Sequence, residues 1–405
     1  MHILLIHQAF ASLNEPGGTR HHELARFLVD KGHQITVIAS PVSYLTGKTN
    51  SDHIPWITKQ EDHGITILRV YTYPALHRSF IHRLLSFISF MLSSFFAGMQ
   101  VKNIDLVWGT SPPIFQGLTA WLAARLKGAK FVFEVRDLWP DFAVAVGVLS
   151  QPILIRASRW LERFLYRHAD RVLINSPGFA NHVKARGARE VDLVPNGADP
   201  RMFDPTENGL KFKQKYRLSA KFVVLYAGAH GLSNDLGVIL DAARLLQDRQ
   251  EVVFVFLGDG KEKPALVRRA EEMALKNVLF IPPLPKLEIP AAMAAADACI
   301  AILKPIPLFS TVYPNKVFDY MAAGKPVILA INGVIREVIE SVQAGIPVEP
   351  GDAEGVAQAI LKLVEDRSLG TEMGCRGRQY IETHFDRAVL ANNLENIFIS
   401  VEHKS

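Results

Sequence analysis

The chain has 405 residues, 49% hydrophobic and 21% charged, which excludes wholesale disorder and, at roughly 150 residues per domain, predicts two or three domains. Two cysteines, Cys299 and Cys375, exclude a disulfide framework, and no CxxC pair or Cys/His cluster points to zinc, so the chain reads as cytosolic. The formal charge of +5 is a mild basic excess that leaves nucleic acid, anionic lipid and phosphorylated substrates open as partners.

Met1-His-Ile-Leu-Leu-Ile lacks the basic region and small-residue cleavage site of a signal peptide and reads as a first strand at 3–6. Further apolar runs of strand length fall at 35–39, 106–108, 130–135, 171–174 and 191–194, then at 222–226, 252–257, 278–281, 298–302 and 326–330. Continuous Val/Ile/Leu runs without alternation suit parallel strands buried on both faces, and the helix-period segments between them make βαβ units. The class is therefore α/β, doubly wound. Pro195-Asn-Gly-Ala-Asp-Pro200 and the polar stretch 201–221, with Pro205 and Gly209, interrupt the pattern. Each side holds enough strands for its own Rossmann-like sheet, which predicts domains at 1–198 and 199–385 facing each other across a cleft. A last helix at 388–401, within a segment 386–405, carries Val389, Leu390, Leu394, Ile397 and Phe398 as an apolar stripe expected to dock back on the first domain.

After the first strand, Gly17-Gly18-Thr19 opens a helix carrying Leu24, Phe27 and Leu28. Glycines before a helix N-terminus let backbone N–H groups and the positive dipole end approach a phosphate, although they also merely shape loops. No GxGxxG dinucleotide fingerprint is present. The arrangement recurs after the first strand of the second half as Tyr226-Ala-Gly228-Ala-His230-Gly231, and two such loops are expected to flank one cleft. A third element, Pro314-Asn315-Lys316-Val317-Phe318-Asp319, reads as a helix that starts at the proline and stops at Gly324. Lys316 and Asp319, three apart, are expected on one side of it. A lysine in the first turn opposes the helix dipole unless an anion sits there, and a carboxylate there suits two ribose hydroxyls. The alternative is a surface Lys316–Asp319 pair.

Glu134, Arg136 and Asp137 follow a first-domain strand at its C-terminal end, where α/β ligands bind. A carboxylate there suits an oxocarbenium charge or an acceptor hydroxyl, and Arg136 a pyrophosphate; the alternative is an internal carboxylate–arginine network. Asn196-Gly197 reads as a turn needing left-handed geometry, or as a ligand contact. His7, His21 and His22 lack ligand spacing and read as solvent or packing histidines, so no metal site is expected.

The run 84–99 is strongly apolar, with Ser86, Ser89 and Ser93 on its other side. Its sixteen residues span roughly 24 Å, short of the ~30 Å hydrocarbon core, so it is not expected to cross a membrane. Between His63 and Ile104 there is no acidic residue, while Arg69, Arg78, Arg83 and Lys102 are basic. A second helix, 153–168, sets Arg156, Arg159, Arg163 and Arg167 on one face. Together they suit the plane of an anionic membrane surface, the alternatives being a buried helix and a solvated face.

In this order, the early Gly-Gly, Lys31-Gly-His33-Gln-Ile-Thr-Val37, Pro195-Asn-Gly-Ala-Asp199 and Asp319-Tyr-Met-Ala-Ala-Gly-Lys-Pro-Val327 resemble the family-4 retaining glycosyltransferases of the GT-B fold over nearly the whole chain. With Phe133-Glu-Val-Arg-Asp-Leu-Trp-Pro140 and Tyr313-Pro-Asn-Lys316, the chain is similar to the bacterial surface-polysaccharide branch, including N-acetyl-L-fucosamine transferases of O-antigen and capsule assembly. The resemblance implies an acceptor-binding first domain and a nucleotide-sugar-binding second domain. It implies transfer of a sugar from a nucleotide-diphosphate donor, taken as a UDP-sugar, to an acceptor with retained configuration and without cofactor or metal; the two helices above add the expectation of a polyprenyl-diphosphate-linked saccharide as acceptor and of an enzyme peripheral on the inner face of the cytoplasmic membrane. Donor contacts are expected from Gly17, Gly18, Gly228, His230, Gly231, Asn315, Lys316 and Asp319, with the base near Pro282 and Leu284.

Three departures stand out. The family's pair of glutamates falls on Thr311 and Asp319, its Arg and Lys after the second glycine-rich strand on Ala229 and Asp235, and its loop histidine on Arg136. A leaving diphosphate needs charge stabilisation, and Lys316 is the candidate replacement. In a front-face reaction the departing phosphate oxygen takes the acceptor proton, so no protein base is required. The competing readings are another GT-B nucleotide-sugar enzyme such as an epimerase, and a catalytically silent sugar-nucleotide binding protein. A nucleic-acid partner is not expected, since no recognition-helix motif is present.

Overall fold

A computed structural model describes residues 1–43, 47, 49, 55–74, 80–204 and 206–403, so Arg78 and Pro205 lie outside the described residues. The chain forms two compact units, one of Met1–Ser12, Gly17–Pro195 and Ala388–Ser405, the other of Leu13–Pro16 and Asn196–Arg387.

The first unit holds an eight-stranded sheet of β1 (His2–Ile6), β2 (Gln34–Ala39), β3 (Ile57–Asp62), β4 (Ile65–Val70), β5 (Leu106–Ser111), β6 (Lys130–Val135), β7 (Arg171–Ile174) and β8 (Val191–Leu193), in the order β3-β4-β2-β1-β5-β6-β7-β8. Every neighbouring pair is parallel except β3–β4. That hairpin was not expected from the sequence. It turns on His63 and Gly64, both at positive φ (48° and 78°), the geometry that lets a two-residue turn follow the strand twist. Its outer strand exposes Lys59, Gln60 and Glu61, as suits a sheet edge.

The second unit holds β9 (Phe222–Ala227), β10 (Val252–Leu257), β11 (Val278–Ile281), β12 (Ala298–Ile302), β13 (Val327–Ala330) and a short β14 (Gly345–Pro347), all parallel, in the order β11-β10-β9-β12-β13-β14. Both faces are buried: Val223 and Leu225 belong to one core, Phe222, Val224 and Tyr226 to the other. This two-sided burial produces the unbroken apolar runs in the sequence. In each sheet the chain leaves its first strand in one direction and later returns to the other side. Strand β1 lies between β2 and β5, and β9 between β10 and β12. The glycine loops after β1 and β9 therefore stand at topological switch points, where α/β sheets bind ligands.

The helix Arg387–Glu402 packs Ala391, Leu394, Ile397 and Phe398 into the core of the first sheet, with Phe398 edge-on to Trp108 at 5.4 Å; Leu390 is also buried, while Val389 faces solvent. The apolar segment forms the helix Phe80–Gln100, whose 21 residues make it ~31 Å long, so the length argument from the sequence fails. It is long and apolar enough to cross a bilayer. In the fold one side of it packs on the first unit. Its serine side faces inward: Ser86, Ser93 and Ser94 are buried beside Phe90 and Ala97, Ser93 Oγ donates to Tyr71 O (2.6 Å), and Ser89 Oγ accepts from Tyr73 N–H (2.9 Å).

Candidate functional site

The second unit places its charged groups around the loop after β9. Gly228 adopts φ +152°, and a Cβ there would stand 3.2 Å from Nζ of Lys316. The adjoining loop after β10 runs so close that a Cβ on Gly258 would meet Gly228 O at 2.0 Å, and one on Gly260 would meet His230 O at 2.5 Å. Backbone bonds lock the two loops, from His230 N–H to Asp259 O and from Glu262 N–H to His230 O. Only glycines at 258 and 260 permit this approach. Gly231 lies in the same loop as Gly228, where a Cβ would stand 3.7 Å from Asn234 Nδ2.

The His230 imidazole is enclosed by Tyr226, Phe256 and Phe280, is fully buried, and has no hydrogen-bond partner on either nitrogen. Burial, and then Lys263 and Lys316, lower its pKa to about 4, so the ring is neutral. The expected donor contact at His230 is therefore not offered by its ring, and its backbone N–H and C=O are already taken by Asp259 and Glu262.

Lys316 lies in the first turn of the helix Asn315–Ala322, half-buried. Its ammonium donates to Tyr226 Oη (2.6 Å) and Asn234 Oδ1 (3.2 Å) and sits 4.0 Å above the Tyr226 ring. No carboxylate pairs with it among the described residues, and desolvation lowers its pKa from 10.5 to about 7. The ammonium of Lys263 lies near the same loops, donating to Gly258 O (2.7 Å).

Asp319 does not share this environment. Its carboxylate accepts from Lys286 Nζ (2.7 Å) and Asn315 Nδ2 (3.3 Å) and is almost buried, so the alternative of a Lys316–Asp319 pair is overturned: Asp319 pairs with Lys286, on the segment after β11. That segment also carries Pro282, exposed, and Leu284, half-buried. Sequence reasoning missed Lys286. The asparagine of Asn196-Gly197 reaches Tyr313 O (2.7 Å) and Gly197 O accepts from Arg387, with neither residue at positive φ, so this is a tie and not a left-handed turn.

In the first unit, Gly17 (φ +153°) and Gly18 precede the helix Arg20–Asp30, and space around Gly18 is open. Glu134 lies at the end of β6, buried, and accepts from Arg20, His21 Nε2 (2.7 Å) and Trp108 Nε1 (3.1 Å). Arg20 also donates to Val194 O (2.8 Å). Burial alone would raise the Glu134 pKa; Arg20 and His21 outweigh it and hold the carboxylate ionised. Burial, partly offset by Glu134, lowers the His21 pKa to about 4, so neutral His21 donates its Nε2 proton. The carboxylate–arginine network thus exists, with Arg20 as the partner and not Arg136. Arg136 donates instead to Ser111 O (2.9 Å) and Pro112 O (3.1 Å).

Asp137 differs from Glu134. It is half-buried, its Oδ1 has no hydrogen-bond partner, and burial, partly offset by Arg136, raises its pKa to about 6. His7, the residue after β1, is buried with both nitrogens unpartnered, and His22 bonds Asp62 (2.8 Å). Among the described residues no group of three or more His, Cys, Asp or Glu is placed to hold a metal ion.

Two family models match the chain: the glycosyl transferase 4-like domain over residues 17–197 and the glycosyl transferases group 1 domain over residues 221–366. The "Putative colanic acid biosynthesis glycosyl transferase" of Escherichia coli strain K12 is 25% identical over 358 residues, covering 84% of this chain and 87% of that protein. Among solved structures, the sucrose-phosphate synthase of Thermosynechococcus elongatus superposes with a TM-score of 0.80 at 16% identity, covering all of both chains. Anabaena HepE in complex with UDP-glucose superposes with a TM-score of 0.72 at 18% identity, covering 99% of this chain and 100% of that one. The chain is a glycosyltransferase of the GT-B type, a 4-like domain followed by a group 1 domain, with relatives in surface-polysaccharide synthesis.

Proposed function

We propose that the protein transfers a sugar from a UDP-sugar to a polyprenyl-diphosphate-linked saccharide, retaining anomeric configuration and using no metal, and that the sugar is an N-acetylated deoxyhexosamine such as N-acetyl-L-fucosamine. The observation that carries the reading is Lys316. It is an ammonium without a counter-ion, held against the glycine loop after β9 at a switch point of the second sheet. A diphosphate is the anion such a site lacks. The neighbouring Asp319 suits the ribose, and the backbone beside Pro282 and Leu284 the base. A donor of this kind also occupies a solved structure of the same fold, HepE with UDP-glucose.

In the transfer, the anomeric C–O bond to the β-phosphate breaks as the acceptor hydroxyl attacks from the same face, and the departing phosphate oxygen takes the acceptor's proton. Lys316 neutralises the leaving diphosphate, with the N-terminal backbone of its helix assisting. Asp137, with an unpartnered oxygen, is the first-unit carboxylate suited to orient an acceptor hydroxyl or stabilise the oxocarbenium charge. Glu134, occupied by three donors, positions the strand ends.

The test is a radiolabel transfer assay in EDTA. It offers a panel of UDP-N-acetylhexosamines and UDP-N-acetyl-deoxyhexosamines with an N-acetylglucosaminyl-diphosphate lipid as acceptor. Acceptor-dependent label in the lipid phase is expected. Nucleotide release or sugar isomerisation without acceptor would instead make it a hydrolase or epimerase, and donor binding without turnover across acceptors would make it a silent binding protein.

A further inference from the structure

Three helices cover one face of the first sheet side by side: Phe80–Gln100, Phe115–Lys127 and Pro152–His168. Phe87 meets Phe115 at 6.0 Å, and Trp121 meets Phe164 at 4.7 Å, so the three form one layer. The first is amphipathic the wrong way round for a helix in water. Its serines face the sheet, while Ile81, Leu85, Ile88, Leu92, Phe96 and Met99 are between 36% and 67% exposed. Their spacing of three and four places all six on one line along the helix. The third helix adds Ile153, 82% exposed, and Trp160, 63% exposed.

Charge on the layer has one sign. Arg125, Arg156, Arg163 and Arg167 are exposed and make no ion pair among the described residues. The three helices carry a single acidic residue, Glu162, which is buried and paired with His182 and Arg186. A row of large apolar side chains beside unpaired arginines, with no exposed acid, matches an anionic lipid surface. A second copy of the chain would bring arginines against arginines, so self-association is opposed by the same charges.

We propose that this layer is the face by which the protein lies on an anionic phospholipid bilayer. The helix Phe80–Gln100 rests in the interfacial plane, its six apolar side chains enter the acyl boundary, and the arginines of the neighbouring helices reach the phosphates. The proposal stands apart from the donor reading, because it concerns only this surface.

The test is co-sedimentation of the purified full chain, without substrate, with phosphatidylcholine vesicles and with vesicles containing phosphatidylglycerol. Binding to the anionic vesicles, weakened by 0.5 M salt, is expected. Leu85→Glu/Leu92→Glu should lower bound protein at least tenfold, and Arg156→Glu and Arg163→Glu roughly five-fold each or more. Circular dichroism and UDP affinity of the variants should be unchanged, which separates loss of the surface from loss of the fold or of the donor site. Protein left in the supernatant with both vesicle types would overturn the proposal. So would variants that bind as wild type, or a wild-type dimer that Leu85→Glu/Leu92→Glu turns into monomer with no vesicle binding by either.

Discussion

Nucleotide binding should draw a proton onto Lys316. Without an anion the ammonium is desolvated and its pKa lies near 7; beside a bound diphosphate it returns toward its ordinary 10.5 or above. The gap between the two values is worth about 5 kcal/mol at most, and it appears as a pH-dependent affinity. Only the protonated form offers the positive charge, so affinity is greatest below pH 7 and declines as pH rises toward the pKa in the complex. Above pH 7.5 the diphosphate is itself ionised, and the decline belongs to the protein. With a free pKa of about 7, the protonated fraction drops by about 25-fold between pH 7.5 and 9.0, and the dissociation constant should rise by that factor. Isothermal titration of UDP at pH 8 in buffers of different ionisation enthalpy should report uptake of about 0.9 proton. Lys316→Met should bind more weakly at pH 7.5, take up no proton and show a flat profile. A flat wild-type profile, or the wild-type slope in Lys316→Met, would refute the assignment.

The same residue should weaken the fold. A lysine whose folded pKa lies below its unfolded one destabilises the native state as pH falls from the unfolded value toward the folded value, so the wild type should gain stability between pH 7 and 9.5. Lys316→Met should be the more stable protein at pH 7 and lack that slope, as urea midpoints at the two pH values will show. Glu134→Ala, by leaving Arg20 buried without its carboxylate, should cost about 3–5 kcal/mol in urea unfolding. Phe398→Ala should cost a similar ~3–5 kcal/mol by opening a cavity beside Trp108; a loss under 1 kcal/mol would mean that the last helix is not seated on the first sheet. Gly258→Ala should weaken UDP binding more than tenfold in the same titration, because its Cβ cannot coexist with Gly228 O in the present loop geometry.

The parallel strands were legible in the sequence because each is buried on both faces, which makes the apolar run itself the signal: Phe222–Ala227 and Val252–Leu257 need no alternation to be recognised. The missing strands lacked that signal. Strand β3 is an edge of mostly polar side chains and β14 has only three residues, so neither makes an apolar run of strand length. The serines of the helix Phe80–Gln100 misled for a related reason. In water an amphipathic helix turns its polar side outward, and here the inward serines bond to the backbone of the segment after β4.

At the site, residue type was legible and partnership was not. A carboxylate at Asp319 predicts a lysine, and the nearest candidate along the helix was Lys316; the fold supplies Lys286 from 33 positions away, and Lys316 is left to Tyr226 and Asn234. Glu134 and Asp137 looked alike as neighbours at one strand end. Tertiary structure separates them, giving Glu134 three donors and leaving one Asp137 oxygen unpartnered. Under the proposed function, a separation of partners of this kind lets the second unit manage without the Arg and Lys whose places are taken by Ala229 and Asp235. An ammonium that spends its charge on an aspartate is of little use to a leaving phosphate. Lys286 satisfies the aspartate, so Lys316 stays uncompensated at the glycine loop, and under the proposed function the instability this causes in the empty protein is recovered as affinity for the donor.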